Sequence, residues 1–453
     1  MNRRMPAAVA ILALLATITL GGVAQAGTTK LVKDINLPGA SDPQDLAPYK
    51  GKLFFSATTL LAGRELWKSD GTKPGTKRVR DINPGPLSSS PSHLTVVDGI
   101  LYFSASSADH GRELWRSDGT RAGTWQVRDI NPGPGGCDAS WLTRVGKKLF
   151  FSARRSIDDR ELYVSNGKRK GTKRVRDIWV GSGSSYPGHI IAYGGKAFFS
   201  AEKSTIGDEL WSSNGTWAGT KAVRDLEPGT DSLDPNRLTK VGSTLYFSGD
   251  RTATGRELFR SNGTRYGTRL VKDINLGPAG SNPDQLTGLG GKVYFSATTP
   301  AKGTELWKSD GTKAGTTIVK DLVVGADSSN PGDLTRFDGK LYFVARTPAT
   351  GAELFRTNGR PAGTKLVKDI VPGTVGSGPS ELTAVGSSLF FEAGNPEGGN
   401  ELWKTKGSGG FRVKDIRRGP GNSDPRWLTK VGKRLFFTAD DGTHGRELWM
   451  WKP

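Results

Sequence analysis

One triplet returns along this chain with a fixed stride, and the stride limits what the chain can fold into. Glu-Leu-aromatic begins at Glu65, Glu113, Glu161, Glu209, Glu257, Glu305, Glu353 and Glu401, each 48 residues after the last, and again at Glu447 after 46. A basic residue followed by Asp and then Ile or Leu is repeated as often, with its aspartate at Asp34, Asp81, Asp129, Asp177, Asp225, Asp273, Asp321, Asp369 and Asp415. A period of this length marks an array of supersecondary units, none of which can bury its apolar face alone. The two series are out of phase. The chain opens on a basic-Asp-Ile element with no triplet before it and closes on a triplet with no such element after it.

Within a unit the apolar runs are short: 94–97, 101–105, 113–117 and 125–130. They are rich in β-branched and aromatic residues and bounded by Gly, Pro, Asp and Asn, which predicts strands; no stretch carries a 3.6-residue apolar period. Four short strands, three tight connections and one longer Pro/Gly/Ser link, such as 83–91, predict a β-propeller blade. The blade boundary falls at the link, because hairpins join strands of one sheet. The expected fold is therefore all-β, a single nine-bladed β-propeller of four-stranded blades. Residues 30–35 should supply the outer strand that the last blade lacks and so close the ring; an open array would leave an unpaired edge strand at each end.

The repeat also suggests a register. Leu66 opposite Val79 puts Glu65 opposite Arg80, which makes the glutamate the expected cross-strand partner of the basic residue. At the closure the same logic sets Lys33 opposite Glu447 and Val32 opposite Leu448.

The run Glu65-Leu-Trp-Lys-Ser-Asp-Gly-Thr-Lys-Pro-Gly-Thr76 resembles the signature of the bacterial ELWxxDGT repeat proteins, and the likeness extends over residues 29–452. That resemblance implies a secreted, β-rich scaffold and brings no catalytic residues with it. Asn166, Asn214, Asn262 and Asn358 depart from the motif's aspartate, and residues 404–410 form an eroded copy. Asp-Gly and Asn-Gly both supply the positive φ of a tight turn, so these loops are expected to be turns rather than calcium ligands.

Arg3 and Arg4, the apolar run 7–20 and Ala24-Gln25-Ala26 have the order of a secretory signal peptide, which assigns 1–26 to a leader and 27–453 to one domain. No later run reaches the ~18 apolar residues of a membrane span. Secretion, or residence in the periplasm or cell envelope, is the expected localisation. Cys137 is the only cysteine, so no internal disulfide is available. The net charge of +20, or +18 without Arg3 and Arg4, suits contact with anionic polymers or, equally, a solvated basic surface.

Local catalytic signatures are missing. The histidines His93, His110, His189 and His444 have no zinc-ligand spacing, and neither a Gly-x-Ser-x-Gly elbow nor a phosphate loop occurs. No catalytic residue, metal site or cofactor is predicted. The residue just before each inner strand, however, varies from copy to copy: Asp45, His93, Trp141, His189, Arg237, Gln285, Asp333, Glu381 and Trp427. In a propeller these surround one mouth of the channel. The candidate ligand-binding residues are His93, Trp141, His189 and Trp427, joined by Trp179 and Tyr186 from the links. The expected function is an exported, monomeric, non-catalytic scaffold that engages a neutral or anionic glycan or another anionic polymer, with no specific nucleic acid. The runner-up is a propeller hydrolase or lyase acting on an extracellular polysaccharide. A cluster of two or more carboxylates or histidines at the mouth would favour the enzyme; a flat, basic, aromatic-dotted face would favour the scaffold.

Overall fold

Each repeat folds as four antiparallel strands in chain order, named a to d from the channel outward. In blade 1 these are Gln44–Tyr49, Lys52–Thr59, Gly63–Ser69 and Lys77–Arg80. The computed structural model describes residues 27–453, so the leader expected over 1–26 lies outside the described residues. Eight sheets follow this plan. The ninth takes Arg426–Val431, Arg434–Asp440 and Arg446–Lys452 from the C-terminal end and Thr28–Lys33 from the N-terminal end. Nine four-stranded blades thus form a closed β-propeller, and strands a of neighbouring blades touch all the way round, the first against the ninth included.

The core lies between blades. Strand b is apolar on both faces because each blade is sandwiched by two others. Phe54 and Leu66 of blade 1 pack with Leu101, Phe103 and Trp115 of blade 2, while Phe55 and Trp67 pack with Phe436 and Met450 of blade 9. The period of two along a strand sends alternate side chains to opposite neighbours. The links and b–c turns open on one face, called upper here, and the a–b and c–d turns open on the other.

The register of strands c and d corrects the expectation. Leu66 stands opposite Arg80 and Trp67 opposite Arg78, so Val79 is the extra residue of a β-bulge. At the closure Lys33 faces Leu448 and Leu31 faces Trp449, with Val32 bulged. The ring closes as expected; the pair Leu31–Trp449 keeps the expected register, and the bulge moves Lys33 from Glu447 to Leu448.

Glu65 therefore never meets Arg80. It is fully buried and accepts hydrogen bonds from the backbone N–H of Ile82 (2.9 Å), Asn83 (3.2 Å) and Ser89 (3.2 Å) and from the Ser89 hydroxyl (2.7 Å). A link without secondary structure carries amides that need acceptors, and the glutamate gathers them. The same tether recurs at Glu305 and Glu353, among others. Cys137 takes the serine's place beside Glu113. Leu233 occupies that place in the repeat of Glu209, one of whose buried oxygens has no donor.

The basic residue reaches the other way, into the next blade. Arg128 donates to the Thr172 carbonyl (2.6 Å), Arg176 to that of Thr220 (2.6 Å), and Lys33 carries the clasp across the closure to that of Thr76 (3.0 Å). Lys33 and Lys272 also lie 5.7 Å from the ring centres of Trp67 and Trp307, where cation and aromatic face attract.

Candidate functional site at the upper mouth

Strand a leaves its partner for two residues near its start. Gln44 pairs with Ser56 and Ala47 with Phe54, and the bulge between them begins at Asp45. The nine variable residues all stand at this point, with φ of 53° (Asp45), 58° (His93), 54° (Trp141), 51° (His189), 56° (Arg237), 58° (Gln285), 51° (Asp333), 60° (Glu381) and 58° (Trp427). Left-handed backbone costs a residue with a side chain roughly 1–2 kcal/mol and is worst for β-branched residues. None of the nine is β-branched. Three residues upstream lies a second left-handed position, held by Asp42, Ser90, Asp138, Tyr186, Asp234, Asn282, Asn330, Gly378 and Asp424. All but Tyr186 are the short polar residues or glycine that this geometry favours.

Three cavities follow one another along the mouth. The first, about 330 Å³, is lined by His93, Arg112, Ser140, Trp141, Arg160 and Tyr186, with Asp138 at its wall. The second, about 430 Å³, is lined by Trp141, His189, Arg237, Asp284 and Gln285. The third, about 720 Å³, is lined by Gln285, Asp333, Ser380, Glu381, Glu392 and Arg426. Trp141 belongs to the first two and Gln285 to the last two, so they form one arc from blade 2 to blade 9.

The predicted residues are mostly here. Trp141 is 45 % exposed, Trp427 43 % and Tyr186 60 %, so none belongs to the core. The Trp141 and His189 rings lie 4.7 Å apart. Burial, and then Arg237, hold the His189 imidazole below its ordinary pKa, which keeps it neutral near pH 7. His93 donates its backbone N–H to Asp45 (3.0 Å). Trp427 follows Arg426 of the third cavity. Trp179 is the exception. Its N–H bonds Glu161 of strand c (3.1 Å) and its indole covers Gly183 in the link, so it serves the link rather than the channel.

The third cavity is acidic. Glu392 stands in strand b where Ser56, Ser104, Ser152, Ser200, Ser248 and Ser296 stand in their blades. Burial raises its carboxyl pKa against a 2.6 Å hydrogen bond from the Ser380 hydroxyl, and Asp424 and Glu381 raise it further while Arg426 lowers it. Asp333 is also raised by burial, opposed by the Glu381 N–H. Glu381 accepts the Leu428 N–H (3.2 Å). Beneath the mouth, the residue before each tethering glutamate is Arg64, Arg112, Arg160, Arg256 or Arg446 in five blades, Asp208 in blade 4, and Thr304, Ala352 and Asn400 in blades 6 to 8. Blades 6 to 8 of the acidic arc therefore lack the arginine that Arg446 supplies in blade 9. Glu392 escaped the sequence reading, although its signal was present as a carboxylate in a column of serines.

Among the described residues no group of three or more His, Cys, Asp or Glu could hold a metal ion, and no helix is long and apolar enough to cross a membrane.

No family model matches the chain, and no curated protein does. Among solved structures, a puromycin hydrolase variant is similar over 77 % of this chain and 58 % of its own, at 14 % identity and TM-score 0.41. A prolyl endopeptidase is similar over 81 % and 53 %, at 13 % identity and TM-score 0.43. A Mycobacterium tuberculosis puromycin-hydrolyzing peptidase is similar over 79 % and 60 %, at 10 % identity and TM-score 0.39. The chain thus spans between 53 % and 60 % of the length of these structures. The expectation of a non-catalytic scaffold for glycans or anionic polymers is corrected here. The mouth gathers carboxyl groups in its third cavity instead of presenting a flat basic face. At this level of similarity their names assign no residue and no substrate to this chain.

Proposed function

We propose that the protein is an exported hydrolase that cleaves glycosidic bonds of an extracellular polysaccharide in the third cavity, and that it belongs with the ELWxxDGT repeat proteins. The observation that carries the reaction is Glu392, a carboxyl group substituted into a serine position, held above its ordinary pKa and facing the same cavity as Glu381. Two carboxyl groups in unlike environments divide the work of glycoside hydrolysis. Glu392, whose protonated form burial favours, gives its proton to the glycosidic oxygen as the bond to the anomeric carbon breaks. Glu381, on the exposed rim, takes a proton from the water that adds to that carbon. Arg426 lines the same cavity and opposes the rise of the Glu392 pKa, a charge to steady the carboxyl groups.

Glu392→Ser installs the residue that six other blades carry at this position and should keep the fold. Reducing-end release from a panel of neutral and acidic polysaccharides should be measurable for the natural chain and fall at least a hundredfold in Glu392→Ser and Glu381→Gln. Unchanged release in both variants would overturn the assignment.

A further inference from the structure

The first cavity holds more positive charge than its one carboxylate, Asp138, can neutralise. Arg112 donates to the carbonyls of Ser90 (3.0 Å) and Ser104 (3.4 Å) and to the Ser92 hydroxyl. Arg160 donates to the Asp138 carbonyl (3.1 Å) and the Ser140 hydroxyl (3.5 Å). All of these acceptors are neutral. The nearest carboxylate, Asp138, is 3.9 Å from Arg160 and is already ion-paired with Arg154. Burial lowers the pKa of both guanidinium groups, as it does at Arg64 and Arg446, and Asp138 opposes it.

Elsewhere in the ring one arginine faces one or two carboxylates: Arg256 is ion-paired with Asp234 and 3.8 Å from Asp250, Arg446 lies 4.0 Å from Asp424, and Arg64 feels Asp42 and Asp45. At the first cavity Arg112, Arg154 and Arg160 all draw on the single Asp138. Between blades 2 and 3 the ring residues are instead His93 and Trp141, and Tyr186 occupies a left-handed position (φ 44°) that is filled by short residues in the other blades. A bulky residue kept in a conformation that disfavours it points to use rather than packing. Trp141 and Tyr186 are both solvent-facing, so the cavity has aromatic walls above a cationic floor.

We propose that this cavity binds the carboxylate-bearing ring of a uronic acid, with the carboxylate on Arg112 and Arg160 and the ring against Trp141 and Tyr186. An anion supplies the missing charge through charge-assisted hydrogen bonds. The aromatic walls select a ring over a bare ion. Taken with the hydrolase reading, on which only this step rests, the substrate is an acidic polysaccharide that runs along the arc past His189 and Arg237 to the carboxyl groups of the third cavity.

The test is calorimetric titration of Glu392→Gln, which binds without turnover, using oligomers of galacturonate, hyaluronan oligomers and alginate oligomers, with a neutral malto-oligosaccharide and inorganic phosphate as comparisons. At least one acidic oligomer should bind at least tenfold more tightly than the neutral one. Tyr186→Ser, which installs a residue type natural to that backbone, and Trp141→Ala should each weaken binding at least fivefold at unchanged melting temperature. Equal affinity for acidic and neutral oligomers, binding of none of the three, insensitivity to both substitutions, or phosphate binding as tight as the oligomer's would each overturn the proposal. Binding as expected without cleavage by the natural chain would remove the hydrolase and leave the subsite. Cleavage of neutral polymers alone would do the reverse.

Discussion

Ser41 donates its hydroxyl to Glu447 at 2.7 Å and its backbone N–H to the same carboxylate at 2.9 Å, joining residues 406 positions apart. The Ile35 N–H is the third donor (3.2 Å). This is the tether of Glu65, Glu257, Glu305 and Glu353, made here between the two ends of the chain. Glu447→Ala leaves buried donors unpaired, which costs about 1–3 kcal/mol for each. We expect lower melting and proteolysis that begins at the N-terminal strand. Deletion of 27–36 removes the strand as well and should cause aggregation, because blade 9 is left with an open edge. Solubility and melting equal to those of the natural chain would count against closure as the source of stability.

Glu209 and Glu353 differ in a way that reverses the usual reading of a Glu→Gln exchange. Both oxygens of Glu353 receive donors, including the Ser377 hydroxyl at 2.6 Å. One oxygen of Glu209 receives two N–H groups at 3.3 Å while the other is buried without a partner. Glu353→Gln sets an amide NH₂ against donors and should destabilise by about 1–3 kcal/mol. Glu209→Gln loses no hydrogen bond and replaces a carboxyl that burial already holds mostly neutral near pH 7, so chemical denaturation should find it neutral or stabilising. Equal losses in the two variants would refute the comparison.

Stability should fall as pH rises across the neutral range. Burial pushes Glu113, Glu161, Glu401 and Glu447 up to about 7 and Glu209 up to about 8, against an ordinary value of 4.5. Between these limits the folded chain holds protons that the unfolded chain has released. The stabilisation is full below the ordinary value and is lost as pH passes the folded one. Melting should be higher near pH 5 than near pH 8; a flat or rising profile over that interval would disprove it.

The Asp-Gly-Thr loops should tolerate loss of charge but not of glycine. Asp70 accepts the N–H of Thr72 (2.9 Å) and its hydroxyl (2.7 Å), and Asn262 accepts the same pair from Thr264 at 3.0 and 2.7 Å. Asp70→Asn should change stability by less than about 0.5 kcal/mol. Gly71 has φ 89°, and a Cβ there would lie 2.5 Å from the Met450 sulfur. Gly71→Ala should cost more than about 1 kcal/mol in a denaturant titration, since backbone and packing both oppose it.

The architecture was legible because it is written nine times: stride, strand pattern and the out-of-phase ends together specify blades and closure. The Glu65 tether was not legible. A one-residue bulge at Val79 separates a cross-strand ion pair from a buried carboxylate under a link, and nothing in a run of alternating residues announces a bulge. The candidate mouth was legible through variation, since a copy-to-copy change at Trp141 or Glu381 has no structural rhythm behind it. Glu392 was hidden by the same logic, for it lies in a strand whose other positions keep time and shows only when the copies are stacked column by column.

The shared left-handed bend at Asp45, Trp141, Glu381 and their six counterparts separates shape from identity. Its backbone is set by the bulge whether the residue is acidic, basic or aromatic. A protein engineer could therefore randomise these nine sites at once, excluding β-branched residues, and recover libraries in which new specificities are sampled on an unaltered frame. Natural divergence among copies has the same freedom: gene-internal duplication supplies the frame, and drift at one column supplies the vocabulary.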